Sequence, residues 1–334
     1  MSRPSRPTLA QVAELAGVSL KTASRAMNGE YGVAPATSER VLAAARSLGF
    51  RPNLMARSLA SGRTSAAVGL VIPNVADPFF AELVGGVERT LAPRDLQLVI
   101  ASHHDDGVAQ RKIVRDLVER RVDAFLLVPA PGEASYLQVD LDHGLVVVCV
   151  DRPVVGVDVD TVIVDNRSAT TEAVRELIAA GHRRIAILAD NSQLWTMQER
   201  AIGYRLALAE AGIAEDPALT CLDCPTHDEA EQAIATLLAS DDPPTAVFAA
   251  HNATGREFVR ATHAASLDIP LVVFDEVSDP DLLVVPPQVL RSNPELLGTT
   301  AAEMALERLD GLTAPPRIVI QPVSRFTPFA WAAA

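Results

Sequence analysis

The chain has 334 residues, of which 49% are hydrophobic and 21% charged, so it can hold two or three domains and is too apolar for wholesale disorder. No apolar run reaches the roughly 18 residues of a membrane span, and the N-terminus lacks the apolar stretch of a secretion signal. Three cysteines do not indicate a disulfide framework, so a cytoplasmic location is expected. Because no membrane span is predicted, no contact with a membrane is expected.

Charge is distributed unevenly along the chain. Residues 1–64 hold nine Lys or Arg and three Glu, which gives a net charge of +6, although the whole chain carries −13. The remainder therefore carries −19. A small basic module on an acidic body favours a DNA-binding domain attached to a larger acidic domain.

Three short helices are predicted before residue 50. The segment TLAQ at 8–11 has the form of a capping box for the first helix, which Gly17 ends. Ser19 can cap a second helix over 20–27, and a third helix fits 36–48. Two short helices joined by a glycine-containing turn, with a third that buries both, form a helix-turn-helix pattern.

A short connecting segment follows this pattern. Residues 51–64 have helix-forming character, but a helix of about two turns is marginal in water by itself. We therefore divide the chain into a DNA-binding domain over 1–52, a hinge helix and linker over 53–65, and a core over 66–334.

Beyond residue 66, apolar runs alternate with amphipathic segments. Continuous Val, Ile and Leu runs with helices between them indicate parallel strands that are buried on both faces, hence an α/β core. Their number indicates two similar lobes with a cleft between them, and ligands bind at the carboxyl ends of such strands. The predicted strands are 66–73, 96–101, 122–129, 145–151, 161–165, 183–190, 245–250, 271–275 and 317–322.

These segments resemble, in order, the blocks of the lactose-repressor (LacI/GalR) family of bacterial transcription regulators. TLAQVAELAGVSLKTASRAMNG is similar to its helix-turn-helix signature, and RVLAAARSLGFRPNLMARSLASGRT to its third helix and hinge. VGLVIPNVADPFFAELVGGVE and VDNRSATTEAVRELIAAGHRRIAIL resemble blocks of its core. The resemblance implies an all-α headpiece joined to a two-lobed core with parallel sheets, like periplasmic sugar-binding proteins.

The second helix would then be the recognition helix that enters the major groove of a double-stranded DNA operator. Leu20 and Lys21 stand where the family reads bases, and Arg25 lies one turn further; Lys and Arg can pair with guanine. Hydroxyl and amide side chains suit phosphate contacts that set the register. These are Ser19, Thr22, Ser24 and Asn28. The alternative reading is an ordinary solvated helix face.

The hinge carries a second DNA hypothesis. Leu59 stands where family members wedge a leucine into the minor groove, and Ala56 lies one turn earlier. The alternative is a plain linker. Ala34 replaces a serine that is common in the family, so we expect the third helix to lack a side-chain cap.

Effector-binding residues are carried over from the family to the strand ends of the core. Small polar ligands need carboxylates and amides for hydroxyl groups, an arginine clamp and aromatic faces. For each residue, loop capping or core packing is the alternative. The candidates are Asp77, Phe79, Phe80, Asp151, Trp195, Thr196, Arg200, His251, Asn252 and Asp275. Two departures stand out: His251-Asn252 replaces the usual Asn-Asp, and the segment before Phe274 is short, which could displace Asp275.

Other chemistry has weak support. Cys221 and Cys224 form a lone C-x-x-C, and HHDD at 103–106 could bind a metal, but neither has a second ligand cluster. No phosphate loop or nucleophile elbow is present, so neither an enzyme, a cofactor nor a metal is expected. A solute-binding protein of a transporter is the main alternative, disfavoured by the basic headpiece. We expect a repressor that binds a pseudo-palindromic operator as a homodimer under the control of a small sugar-like effector.

Overall fold

The structure is a computed structural model that describes residues 7–28, 30–50, 67–224, 226–275 and 287–326. Its chain divides into two compact units, Met1–Ser65 and Ala66–Ala334. The expected hinge, with Ala56 and Leu59, lies outside the described residues. No helix of the described part is both long and apolar enough to cross a bilayer.

The first unit is a three-helix module. It contains α1 (Leu9–Ala16), α2 (Leu20–Met27) and α3 (Pro35–Leu48), close to the predicted bounds. A capping box begins α1, and a left-handed Gly17 ends it. The small core contains fully buried valine and alanine side chains from all three helices, including Val12, Ala23 and Val41. Ala34 begins α3 without a side-chain hydrogen bond, as expected.

The second unit is an α/β structure with two lobes. Its strands are β1 (Ala67–Ile72), β2 (Gln97–Ser102), β3 (Ala124–Leu127), β4 (Val146–Val150), β5 (Asp160–Val164), β6 (Ile185–Leu188), β7 (Thr220–Cys221), β8 (Ala246–Ala249), β9 (Leu271–Phe274), β10 (Gln288–Arg291), β11 (Ile318–Gln321) and β12 (Ser324–Phe326). Its helices are α4 (Pro78–Leu91), α5 (Gly107–Glu119), α6 (Gln138–Asp142), α7 (Asn166–Ala179), α8 (Trp195–Glu210), α9 (His227–Leu238), α10 (Asn252–Ala265) and α11 (Pro294–Leu309). Most strands are buried along their length, as continuous apolar runs require.

Each lobe contains one six-stranded sheet, and the two sheets have equivalent strand orders. The first has the order β11-β5-β4-β3-β1-β2, and the second has the order β12-β10-β9-β8-β6-β7. All pairings between these strands are parallel except β10 with β12. The equivalent strand ends of the two lobes, for example those of β4 and β9, therefore supply equivalent side chains.

The C-terminal part of the chain returns to the first lobe. Strand β11 pairs with β5, and α11 packs against α4. The apolar runs after residue 165 therefore do not all belong to the second lobe. At the crossing of α4 and α11 the backbones touch, because a Cβ on Gly86 would lie 2.1 Å from the carbonyl oxygen of Glu295. Gly298 makes the reciprocal approach to Leu83, with 2.2 Å to its carbonyl oxygen.

Candidate functional site

A cavity of about 190 Å³ lies between the two lobes, at the carboxyl ends of the strands. One side is lined by residues 73, 74, 77, 79, 80, 105, 151 and 152 of the first lobe, and the other by residues of the second lobe between 190 and 275. This is the position at which ligands bind in open α/β sheets. Nine of the ten predicted effector-binding residues line it: Asp77, Phe79, Phe80, Asp151, Thr196, Arg200, His251, Asn252 and Asp275. Trp195, the tenth, is half-buried and does not contribute to the lining.

Arg200 is the buried cation of the second lobe. Its Nε donates to Asn166 Oδ1 at 2.8 Å, and Nη1 donates to the carbonyl oxygen of Ala250 at 2.5 Å. Its guanidinium stacks 3.5 Å from the ring centre of Phe274. Only 3% of the residue is exposed, so its orientation is fixed before any ligand arrives. The N–H groups of the guanidinium that these contacts leave free can donate to a ligand in the cavity.

Asp275 is the carboxylate partner of Arg200. The two side chains are 3.5 Å apart, and Ser292 Oγ lies 2.5 Å from Asp275 Oδ1. Asp275 follows β9 with a left-handed backbone of φ 64°, which Asp tolerates better than most residues. The short preceding segment therefore does not move Asp275 out of the cavity.

Asp151 is the equivalent strand-end carboxylate of the first lobe, after β4, with φ 68°. Arg152 Nε lies 3.3 Å from Asp151, and Arg152 Nη1 donates to Asp105 at 2.6 Å and to the carbonyl oxygen of Pro129 at 3.1 Å. Burial raises the pKa of the Asp151 carboxyl, although Arg152 and Arg200 act in the opposite direction. Burial lowers the pKa of Arg200, and the neighbouring carboxylates oppose that change.

Local capping fixes the loops that carry the remaining lining residues. Asp77 accepts the Phe79 N–H at 2.9 Å and so begins α4, which sets the edge-to-face pair of Phe79 and Phe80. His251 begins α10 by accepting the Ala253 N–H at its Nδ1, at 3.3 Å. The proton of a neutral His251 ring then lies on Nε2.

Sequence reasoning missed three charged residues of the lining, namely Asp105, Arg152 and Asp190. Asp105 was considered only as a metal ligand within the HHDD segment. His103 of that segment is buried, with Nε2 2.9 Å from the carbonyl oxygen of Val128 and Nδ1 accepting the Asp105 N–H. Because backbone groups occupy both ring nitrogens, and because burial lowers the pKa of the ring, His103 serves to shape the loop.

Cys221 and Cys224 are joined by a disulfide, which their lone C-x-x-C pattern did not predict. The segment that carries them brackets the loop after β6. Ala189 donates its N–H to the Cys221 carbonyl oxygen at 2.8 Å, and Cys224 donates to the Ala189 carbonyl oxygen at 3.2 Å. Asp223 accepts the Ser192 N–H at 2.8 Å. Away from the cavity, the exposed side chains of His227, Asp228 and Glu231 lie close enough together to share a metal ion.

The exposed face of α2 carries most of the residues predicted to contact DNA. Ser19 caps the helix by accepting the Thr22 N–H at 3.1 Å. Leu20 and Lys21 follow and are exposed, and Thr22, Ser24, Arg25 and Asn28 are half-buried. These side chains therefore lie on or beside one accessible helix face.

Arg25 has a role that sequence reasoning missed. Its Nη2 donates to the carbonyl oxygen of Tyr31 at 2.5 Å, and its Nε lies 3.4 Å from Glu30. It therefore braces the turn between α2 and α3. The Tyr31 side chain is fully exposed beside this turn, and its only sequence signal is an aromatic in a polar loop.

Comparison with known proteins identifies both units. Residues 8–53 match the family described as "Bacterial regulatory proteins, lacI family". Residues 65–327 match "Periplasmic binding proteins and sugar binding domain of LacI family". The transcriptional regulator CelR of Thermobifida fusca is 34% identical, over 96% of this chain and 97% of that protein. GalR of Escherichia coli K12 is 30% identical, over 92% of this chain and 91% of that protein.

Solved structures agree with the fold. The CelR–cellobiose complex superposes with a TM-score of 0.71 at 31% identity, over 96% of this chain and 99% of that one. The lac repressor dimer bound to operator and an anti-inducer superposes with a TM-score of 0.81, over 97% of this chain and 98% of that one. Its 23% identity supports the fold alone.

Proposed function

Because this chain belongs to the LacI family of DNA-binding transcriptional regulators with a sugar-binding domain, we propose that it is a repressor controlled by a small effector. It binds a pseudo-palindromic operator as a homodimer in the cytoplasm, and it catalyses no reaction. The observation that supports this most is the cavity of the second unit. There a buried, pre-oriented Arg200 meets the strand-end carboxylates Asp151 and Asp275.

The first unit is proposed to read the operator through α2. Lys21 is the exposed cation at the start of this helix and pairs with a guanine in the major groove, while Leu20 meets a thymine methyl. Ser19, Thr22, Ser24 and Asn28 contact phosphates. Arg25 is proposed to contact a base as well, and its bond to the Tyr31 carbonyl oxygen holds α2 against the following turn.

One headpiece reads only half of an operator. A single recognition helix covers a few base pairs, so two copies related by a two-fold axis are needed for a specific site. Leu59 and Ala56 of the hinge are proposed to enter the minor groove at the centre of the site.

The cavity is proposed to bind the effector, a small polyhydroxylated molecule. Arg200, Asp275, Asp151 and Asn252 offer donors and acceptors for hydroxyl groups, and the Phe79–Phe80 pair offers an apolar face for a ring. The CelR structure was solved with cellobiose, which makes β-linked glucose units a reasonable first probe. Thr196 and His251 complete the lining, whereas Trp195 stands outside it.

Effector binding is proposed to change DNA affinity by closing the lobes. A ligand that contacts both lobes favours the closed arrangement, because it gains contacts there that the open arrangement lacks. The open and closed states place the hinges differently and therefore bind DNA with different affinities, so closure changes the DNA affinity.

Selection of bound sequences from a random duplex pool, followed by titration of the enriched duplex, tests the DNA part. The chain has two lysines, Lys21 and Lys112, and Lys112 is exposed on α5, so it offers a matched control. We expect Lys21→Ala to weaken the enriched duplex by about 5- to 150-fold, equivalent to about 1–3 kcal/mol, with a smaller loss on random DNA. Lys112→Ala should leave both unchanged. Failure to enrich any sequence would contradict the proposed function.

A further inference from the structure

The lining of the effector cavity carries more negative than positive charge. It contains five aspartates and two arginines, and therefore a surplus of three negative charges when His251 is neutral. Three of the aspartates form ion pairs with the two arginines. Asp105 and Asp151 contact Arg152, at 2.6 and 3.3 Å, and Asp275 lies 3.5 Å from Arg200. Asp77, the fourth, accepts a backbone N–H of its own helix.

Asp190 is the fifth, and it accepts no hydrogen bond from the described residues. It follows β6, and its Oδ1 is buried with no hydrogen-bond partner in the part of the chain that the structure describes. Its other oxygen is 3.8 Å from His251 Nδ1. That nitrogen already accepts the Ala253 N–H, so in the neutral ring it has no proton to donate.

An unpaired carboxylate in a confined site costs free energy that a ligand can recover. A ligand hydroxyl supplies a donor but leaves the charge. A ligand ammonium group supplies both a donor and the missing positive charge, and charge-assisted hydrogen bonds are the stronger kind. An anionic ligand adds repulsion to a site that is already negative. The two arginines offset only two of the five carboxylate charges of the lining.

We propose that the effector is a polyhydroxylated molecule with a protonated amino group, an amino sugar, and that Asp190 is the residue that selects it. This inference rests on the proposed function, because it takes the cavity to be the effector site. The hydroxyl groups contact Arg200 and Asp275, and the ammonium group lies against Asp190. Neutral sugars bind more weakly, and sugar acids or sugar phosphates do not bind.

The test compares sugars of one shape and three charges on the full-length protein at pH 7. The monosaccharide probes are glucosamine, glucose and gluconate. The disaccharide probes are the β-1,4-linked glucosamine dimer, cellobiose and cellobionate. Isothermal titration calorimetry gives the dissociation constants. We expect the amine-bearing probe of at least one size to bind at least tenfold more tightly than its neutral counterpart, with no binding of the acids.

Asp190→Asn removes the charge and keeps the shape of the side chain. We expect this variant to lose the tenfold preference for the amine, measured as the ratio of the dissociation constants of the neutral and amine-bearing probes. Asp223→Asn is the matched control, because Asp223 is exposed on the neighbouring loop, outside the lining, and the Asn oxygen can still accept the Ser192 N–H. It should keep the preference unchanged.

Three results would overturn the inference. These are equal or tighter binding of the neutral sugar, no binding of either amine-bearing probe, and a preference that survives in Asp190→Asn. None of them bears on the proposed DNA binding, which fails separately if no duplex is enriched by the wild-type protein. Sugar selectivity and DNA selection therefore report on the two proposals independently.

Discussion

Arg200→Met tests whether the buried guanidinium holds the cavity together. The substitution keeps much of the aliphatic volume and removes the charge. It leaves Asn166 Oδ1 and the Ala250 carbonyl oxygen without their donor, and Asp275 without its ion-pair partner. Removing one member of a buried ion pair costs about 3–5 kcal/mol. We take the lower end, about 3 kcal/mol, because burying the guanidinium itself opposes folding.

Arg205→Met is the matched control on the same helix. Arg205 pairs with Glu215 at 3.1 Å, but both side chains are substantially exposed, and an exposed pair contributes about 0.2–1 kcal/mol. Urea unfolding of both variants, followed by circular dichroism, gives the free energies of unfolding. We expect a loss of about 3 kcal/mol for Arg200→Met and below about 1 kcal/mol for Arg205→Met. Equal losses in the two variants would refute the assignment of Arg200 as the anchor of the cavity.

Three further predictions concern other parts of the chain. Gly86→Ala should lower the free energy of unfolding by at least about 1–3 kcal/mol, because its Cβ would lie 2.1 Å from a backbone carbonyl oxygen of α11. Gly85→Ala, whose Cβ would meet only the end of a flexible side chain at 3.4 Å, should be neutral or slightly stabilising in the same urea unfolding experiment. Burial alone would raise the pKa of Asp160, but hydrogen bonds from Arg308 and a backbone N–H lower it. The stability that the Asp160–Arg308 pair contributes is therefore present above the unfolded pKa of about 4, and it is lost as the pH falls through the lower folded pKa. Asp160→Asn should therefore reduce the acid sensitivity of unfolding. Arg25→Ala should weaken the selected duplex far more than random DNA in a binding titration, and equal loss on both would leave Arg25 with only its bracing role.

The strands of the fold that the sequence predicted are those with long apolar runs. AVGLVI and most of its counterparts are buried on both faces, whereas β2 and β11 are exposed or half-buried along most of their length. The short strands β7, β10 and β12 carry no such run, because pairing with a neighbour and not apolar content defines them. The return of β11 to the first sheet depends on long-range topology, which local pattern does not encode.

The candidate site likewise contains residues that spacing along the sequence predicts and contacts that only the folded chain brings together. Thr196 and Arg200 are four residues apart, so they share one face of α8, whereas Trp195 points about 100° away and misses the cavity. Spacing could have excluded Trp195 before the structure was known. Asp105 and Arg152 meet across 47 residues of sequence, and the lack of a hydrogen-bond partner for Asp190 Oδ1 among the described residues depends on what surrounds it. Such contacts cannot be read from one sequence.

The central claim is that a ligand in the cavity controls DNA binding by the first unit. Fluorescence anisotropy measures this coupling directly. The enriched duplex is titrated with wild-type protein, once without sugar and once with a saturating concentration of a sugar that calorimetry shows to bind. We expect the sugar to change the dissociation constant for DNA by about 5- to 150-fold, equivalent to about 1–3 kcal/mol, and Arg200→Met to abolish the change. An unchanged DNA affinity at full occupancy of the cavity would contradict the account.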